Sequence, residues 1–343
     1  MISISNRTYV ARGTGTFLLA AAATLLAGCG GVGQLSPGSP GGMGVTSNAR
    51  SAGAVAAANL PSLPSLSSAV SPDTAATLYA SDSLANTVVE YDTSTGAIIR
   101  TLGGGSSGPV IYPEGLFVSK GALYVANEGG SGSAVLVYKS GATSPSRILQ
   151  EGAQFEPVDV AVGTDGTVYV ANIVTGYSEP GNVEVFKKGS TTADYAISFG
   201  SGSEALPVYS VALDSSNNLY VGFTNKSNKG EINKYAPGST KGVNTGFVIG
   251  TPTGMAFDKS GDLVAVDTHV VDVFQAGTDN PIRQFGSLTS GQYCAFTKSG
   301  TYLYVADSGA NQVDEFHYSN GKLLSTTSLS DATGVALSPP EAL

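Results

Sequence analysis

The chain has 343 residues, 41% of them hydrophobic, and a formal charge of −9. Such a length and apolar content exclude a wholly disordered chain and allow one large or two ordinary domains, and the acidic balance argues against nucleic acid as a partner. Two cysteines rule out a disulfide framework, and 45 glycines set among short apolar bursts, with no helical periodicity, predict many short strands joined by turns.

At the N-terminus, Arg7 and Arg12 precede an apolar run from Phe17 to Ala27 that is too short to span a membrane comfortably and has the form of a secretory h-region. The run ends in Leu26-Ala27-Gly28-Cys29, which resembles the lipobox of bacterial lipoproteins. That resemblance implies a signal peptide over 1–28, lipidation at Cys29 and export to the bacterial cell envelope, with the membrane as a partner through the lipid. Gly30 rather than Asp follows the cysteine, which in a Gram-negative host suits the outer membrane. Removing the leader takes away two arginines and no acid, so the formal charge moves from −9 to −11.

From residue 29 to 73 the chain turns to Gly, Ser, Pro and Ala, with Arg50 the only charge between Gly30 and Pro72. Too little apolar surface is available there to offset ordering entropy, so a flexible tether is predicted, with an r.m.s. reach of roughly 35 Å.

Residues 74–339 repeat. LYASDSLANTVVEY (78–91), LYVANEGGSGSAVLVY (123–138), VYVANIVTGYSEPGNVEVF (168–186), LYVGFTNKSNKGEINKY (219–235), LVAVDTHVVDVF (263–274) and LYVADSGANQVDEF (303–316) each read as a strand, a polar loop and a strand ending in an aromatic. The terminal aromatics are Tyr91, Tyr138, Phe186, Tyr235, Phe274 and Phe316, and a second column holds Tyr79, Tyr124, Tyr169, Tyr220, Val264 and Tyr304. Before most copies stands a further strand, led by proline in PEGLFV (113–118), PVDVAV (157–162), PVYSVAL (207–213) and PTGMAF (252–257), and reading QYCAF at 292–296. A fourth apolar segment follows each aromatic strand.

Four short strands at a period of roughly 40 to 50 residues define the blade of an all-β propeller, and the aromatic columns are then packing between blades. The first copy lacks its leading strand, and ATGVAL (332–337) stands alone after the last. The expectation is six four-stranded blades in a ring closed by the C-terminal strand, followed by a tail at 340–343.

The run YVADSGANQV, the Pro-x-Gly strands and the Asp-x-x-Gly-x-Leu turn at Asp258 to Leu263 resemble NHL-repeat propellers and the broader SMP-30/gluconolactonase group. Lactonases of that group hold a divalent cation over the central channel with Glu, Asn and Asp from the innermost strands. Here the matching position carries Glu114, but Val158, Thr253 and Thr333 in other blades, with Asp159 one residue later and Tyr209 near the matching place in the fourth. That falls short of the oxygen ligands a hard cation needs, so no metal and no cofactor is expected.

No catalytic set emerges elsewhere. His269 and His317 are the only histidines, and Gly104 to Gly108 matches a nucleophile elbow by letter but not by context. Asp82, Asn127, Asn172, Phe223, Asp267 and Asp307 form a column at the start of each polar loop, where Asp and Asn can bond to the backbone of the turn they begin or contribute to a binding rim. The candidate binding residues are therefore Asp82, Glu114, Asn127, Asp159, Asn172, Tyr177, Glu179, Tyr209, Asp267 and Asp307. The sequence favours a non-catalytic module that binds a protein or small-molecule ligand, or scaffolds one, through its loop-bearing rim. The alternative is a hydrolase or lyase working at the channel mouth through Glu114 and Asp159.

Overall fold

The computed structural model describes residues 76–338 apart from 106–107, 130–131, 151, 153–154, 175–179 and 201–205. The expected leader, Cys29, the tether and the tail at 340–343 lie outside the described residues, as do Tyr177 and Glu179.

Every described element of regular length is a strand. Blade one begins with β1 (Thr77–Asp82), β2 (Thr87–Asp92) and β3 (Ile98–Gly103). Blade two is β4 (Pro113–Ser119), β5 (Ala122–Asn127), β6 (Ala134–Lys139) and β7 (Arg147–Gln150), and blade three is β8 (Phe155–Val162), β9 (Val168–Val174), β10 (Asn182–Phe186) and β11 (Tyr195–Ser198). Blade four is β12 (Val208–Leu213), β13 (Leu219–Thr224), β14 (Gly230–Tyr235) and β15 (Val243–Asn244). Blade five is β16 (Pro252–Phe257), β17 (Leu263–Asp267), β18 (Val270–Phe274) and β19 (Arg283–Phe285), and blade six is β20 (Gly291–Phe296), β21 (Tyr302–Asp307), β22 (Gln312–His317) and β23 (Lys322–Ser328). The last strand, β24 (Ala332–Ser338), returns to pair with β1. The result is six antiparallel four-stranded sheets, with β24 completing the first.

Burial explains why the middle strands read as unbroken apolar runs. Strands β5, β9, β13 and β21 are buried at nearly every position because a neighbouring blade covers each face, whereas the outer strands β7 and β11 alternate with solvent. Six apolar clusters fill the six gaps between blades, and the terminal aromatics Tyr91, Tyr138, Phe186, Tyr235, Phe274 and Phe316 each lie buried in one of them. Four of the five tyrosines of the second column stand opposite small residues of the inner strand: Tyr79 faces Ala336, Tyr169 faces Ala161, Tyr220 faces Ala212 and Tyr304 faces Ala295, while Tyr124 faces Phe117. Large beside small fills the taper toward the axis.

All six inner strands, β24, β4, β8, β12, β16 and β20, carry a register shift near their start, just after the first paired residue in five of them and after Pro157, the third, in β8. The Pro-x-Gly motif sits at this bulge. A Cβ on Gly334 would lie 2.1 Å from the Glu114 carbonyl oxygen, and one on Gly254 would lie 2.3 Å from that of Gln292. Glycine is needed there because the next blade's backbone occupies the space of a side chain. Hydroxyls nearby stitch the blades: Thr333 donates to Pro113 O at 2.7 Å, Ser210 to Pro252 O at 2.7 Å and Thr253 to Gly291 O at 2.9 Å.

Candidate functional site

The start of each inner strand, the connection that feeds it and the loop between the second and third strands share one face of the ring. On this face the column of polar residues has a defined task. Asp307 accepts from the N–H groups of Thr289 and Ser290 at 2.8 Å each, and Asp267 accepts from those of Gly250 and Thr251 at 2.8 and 2.7 Å. Asn127 Oδ1 accepts from Ile111 N–H at 2.7 Å. Asp82 and Asp307 also take the N–H groups of Ala85 and Ala310 in the turns they begin, at 3.0 and 3.3 Å. The turn bonds expected from sequence are therefore present, but the larger share goes to the segment entering the inner strand of the same blade. Asn172 instead donates from Nδ2 to Asn182 Oδ1 at 3.0 Å across the mouth of its loop. In blade four Phe223 replaces the polar group and packs on Phe199 with ring centroids 5.0 Å apart, so an aromatic contact holds the segment that the carboxylate holds elsewhere.

The blade-four loop on this face is a tight turn: Asn225 N–H donates to Lys229 O at 2.8 Å, and Asn225 Oδ1 accepts from Ser227 N–H at 2.8 Å. Residues 175–179 of the blade-three loop are outside the described residues. His269 occupies the two-residue turn of blade five, and His317 lies edge-on to Tyr302 beside Ser319.

The inner-strand registers align Glu114, Val158, Tyr209, Thr253, Gln292 and Thr333 at the bulge, and Gly115, Asp159, Ser210, Gly254, Tyr293 and Gly334 one position further in. Glu114 is buried, and its backbone carbonyl accepts from Ser81 Oγ at 2.6 Å. Tyr209 is half-buried, and its hydroxyl lies 3.4 Å from Thr224 Oγ1. Among the described residues no group of three or more His, Cys, Asp and Glu side chains is placed to hold a metal ion.

Below this level lies a cavity of about 140 Å³ walled by inner strands of all six blades. Asp159 lies in its wall. One carboxylate oxygen accepts from Val160 N–H at 2.8 Å, the other from Val211 N–H of blade four at 2.9 Å, and the missing Cβ of Gly115 leaves room for it. Burial pushes its pKa up to about 8, against the pull of those two N–H groups. Cys294, also in the wall, is pushed up to about 12 by burial and then by the charge of Asp159, so it is an inert thiol rather than a nucleophile. Tyr293 spans the channel from blade six, donating its hydroxyl to Tyr209 O in blade four at 3.3 Å.

Of the residues picked out from sequence, the fold brings Glu114, Asp159 and Tyr209 to the channel and spreads Asp82, Asn127, Asn172, Asp267 and Asp307 around the face. Sequence reasoning missed Tyr293. The only signal for it was an aromatic in QYCAF at the place where other blades carry glycine, Asp159 or Ser210.

The chain matches no protein-family model and no curated protein. Among solved structures it is similar to a chain in the crystal structure of a nidogen/laminin complex, with a TM-score of 0.61 at 15% identity, covering 78% of this chain and 100% of that one. It is also similar to a protein of unknown function from Bacteroides caccae, with a TM-score of 0.60 at 12% identity, covering 77% of this chain and 99% of that one. At these identities the likeness shows the fold, an all-β propeller, and nothing finer.

Proposed function

We propose that the chain is an exported lipoprotein of the bacterial cell envelope, anchored through Cys29 behind a flexible tether, whose NHL-like propeller is a binding or scaffolding module. One observation carries the non-catalytic reading. The polar groups that sequence places on the rim and at the channel mouth serve the architecture: Asp82, Asp267 and Asp307 clamp backbone N–H groups, and Thr253 and Thr333 tie neighbouring blades. The loops of that face are the elements free to vary without disturbing the blades, and the blade-three loop with Tyr177 and Glu179 is the proposed contact. The similar chain solved in a nidogen/laminin complex supports the same reading, since that propeller was captured with a protein partner.

The test is capture of partners from the native envelope with the wild-type protein and with Tyr177→Ala/Glu179→Ala. Loss of a specific partner with an unchanged melting curve is the expected result. Unchanged capture would remove the loop as the contact, and stoichiometric calcium or zinc in the purified protein would favour the SMP-30-like hydrolase or lyase instead. Cys29→Ser is expected to release the protein from the membrane fraction.

A further inference from the structure

The position that Asp159 occupies has a structural job, and other blades do it without charge. In blade four Ser210 ties to Pro252 O with a hydroxyl, and in blades one, two and five glycine lets the next backbone approach directly. Asp159 makes its tie to Val211 with its carboxyl group, and the wall around it supplies no counter-charge: among the described residues no Lys, Arg or His lines the cavity. A carboxylate offers about four acceptor sites, of which the two backbone N–H groups take two. Ionising this buried carboxyl without a counter-charge is costly, and a cation arriving with a ligand would offset that cost.

The rest of the wall is apolar. Apart from Asp159, Tyr293 and Cys294, the lining side chains are hydrocarbon or thioether. One position below the Val160 level the wall includes alanine from four inner strands, Ala212, Ala256, Ala295 and Ala336, and Phe117 from blade two. The cavity's size of about 140 Å³ is close to that of an engineered apolar cavity of ~150 Å³ that takes up benzene.

We propose that the central channel binds a small apolar ligand bearing one ammonium group, of the size class of benzylamine, with the ammonium at Asp159 and the hydrocarbon against Leu116, Met255, Phe257, Phe296 and Val335. Tyr293, held across the channel by its bond to the Tyr209 carbonyl, roofs the site on the loop-bearing face. The site is separate from the loops proposed to meet a partner, and its occupancy does not depend on that reading. In the empty channel burial favours the protonated carboxyl, so ammonium binding releases a proton near neutral pH.

Isothermal titration of the purified full-length protein with benzylamine and with its neutral counterpart benzyl alcohol tests this directly. Saturable one-to-one binding of benzylamine is expected, at least about tenfold tighter than the alcohol, the ratio that corresponds to about 1.4 kcal/mol. Asp159→Asn is expected to bring the amine down to the level of the alcohol, and Ala295→Leu, which fills the cavity, to abolish binding of both. Should Asp159→Asn fail to fold, the wild-type preference decides: it is expected to fall well below neutral pH, where the carboxyl stays protonated. No saturable binding of benzylamine, equal affinity for amine and alcohol, or a preference that acid leaves unchanged would each overturn the proposal.

Discussion

Ser330 grips the carboxylate of Asp82, its backbone N–H donating to Oδ2 at 2.7 Å and its hydroxyl to Oδ1 at 2.6 Å, across 248 residues of chain. This clamp sets the angle at which β24 enters blade one, where Leu337 pairs with Leu78 and Val335 with Ala80. Truncation before Ala332 is expected to unpair β1 and empty the sites of Val335 and Leu337, lowering the melting midpoint sharply, at a cost of several kcal/mol on an estimate of roughly 2 kcal/mol per buried aliphatic side chain. Truncation after Ser338 is expected to leave the midpoint within about one degree, because no paired residue is lost. Equal, small effects of the two cuts would contradict closure by this strand.

Gly334→Ala is expected to destabilise by about 1–3 kcal/mol, because the new Cβ meets the Glu114 carbonyl, a backbone atom that cannot swing aside. Gly105→Ala, with no atom within 4 Å of the new Cβ, serves as the control and is expected to be near neutral. Denaturant midpoints of the two variants check the pair.

The Tyr138 hydroxyl is buried with no hydrogen-bond partner among the described residues. Tyr138→Phe removes an unsatisfied polar group and keeps the ring in the gap between blades one and two, so stability is expected to stay equal or rise by up to about 1 kcal/mol. A loss of more than that on a urea melt would mean that the hydroxyl is satisfied in solution.

Three buried acids make stability depend on pH. Burial raises Asp272 and Asp314 to about 6 and Asp159 to about 8, all above the ordinary value of 3.8. A group whose folded pKa is raised holds its proton more tightly in the folded state, so its contribution is complete below about pH 4 and is lost as the pH rises through the folded value. The melting temperature is expected to fall between about pH 4 and about pH 8. Asp272→Asn and Asp314→Asn should flatten the part below about pH 6, and Asp159→Asn the whole of it, including the part above about pH 6. A midpoint that climbs over this range would refute the assignment.

The architecture was legible because it is repeated and local. A strand covered on both faces must read as an unbroken apolar run, so LYVADSGANQVDEF and its counterparts located the middle of each blade. The lone ATGVAL located the seam, since the first copy lacked that piece. What sequence did not show depends on where the ring carries a residue. Asp307 was read as beginning a turn, yet its main partners, Thr289 and Ser290, come from the connection that feeds the inner strand of its own blade. Tyr293 and Tyr209 are two blades apart and meet only because the inner strands converge on an axis. Nothing in local spacing encodes that convergence.

The seam also fixes an order of assembly. Blades two to six are each contiguous in sequence, so their hairpins close over short loops as soon as their own residues are available. Blade one alone must wait for Ala332–Ser338, and until then β1 presents a bare edge to whatever strand is near. A chain delivered from its N-terminus therefore carries its least protected strand first and covers it last. Pulsed hydrogen exchange during refolding should find the amides of β1 among the last to gain protection, and a holding factor that shields this one edge would do more for yield than one that acts on any later blade.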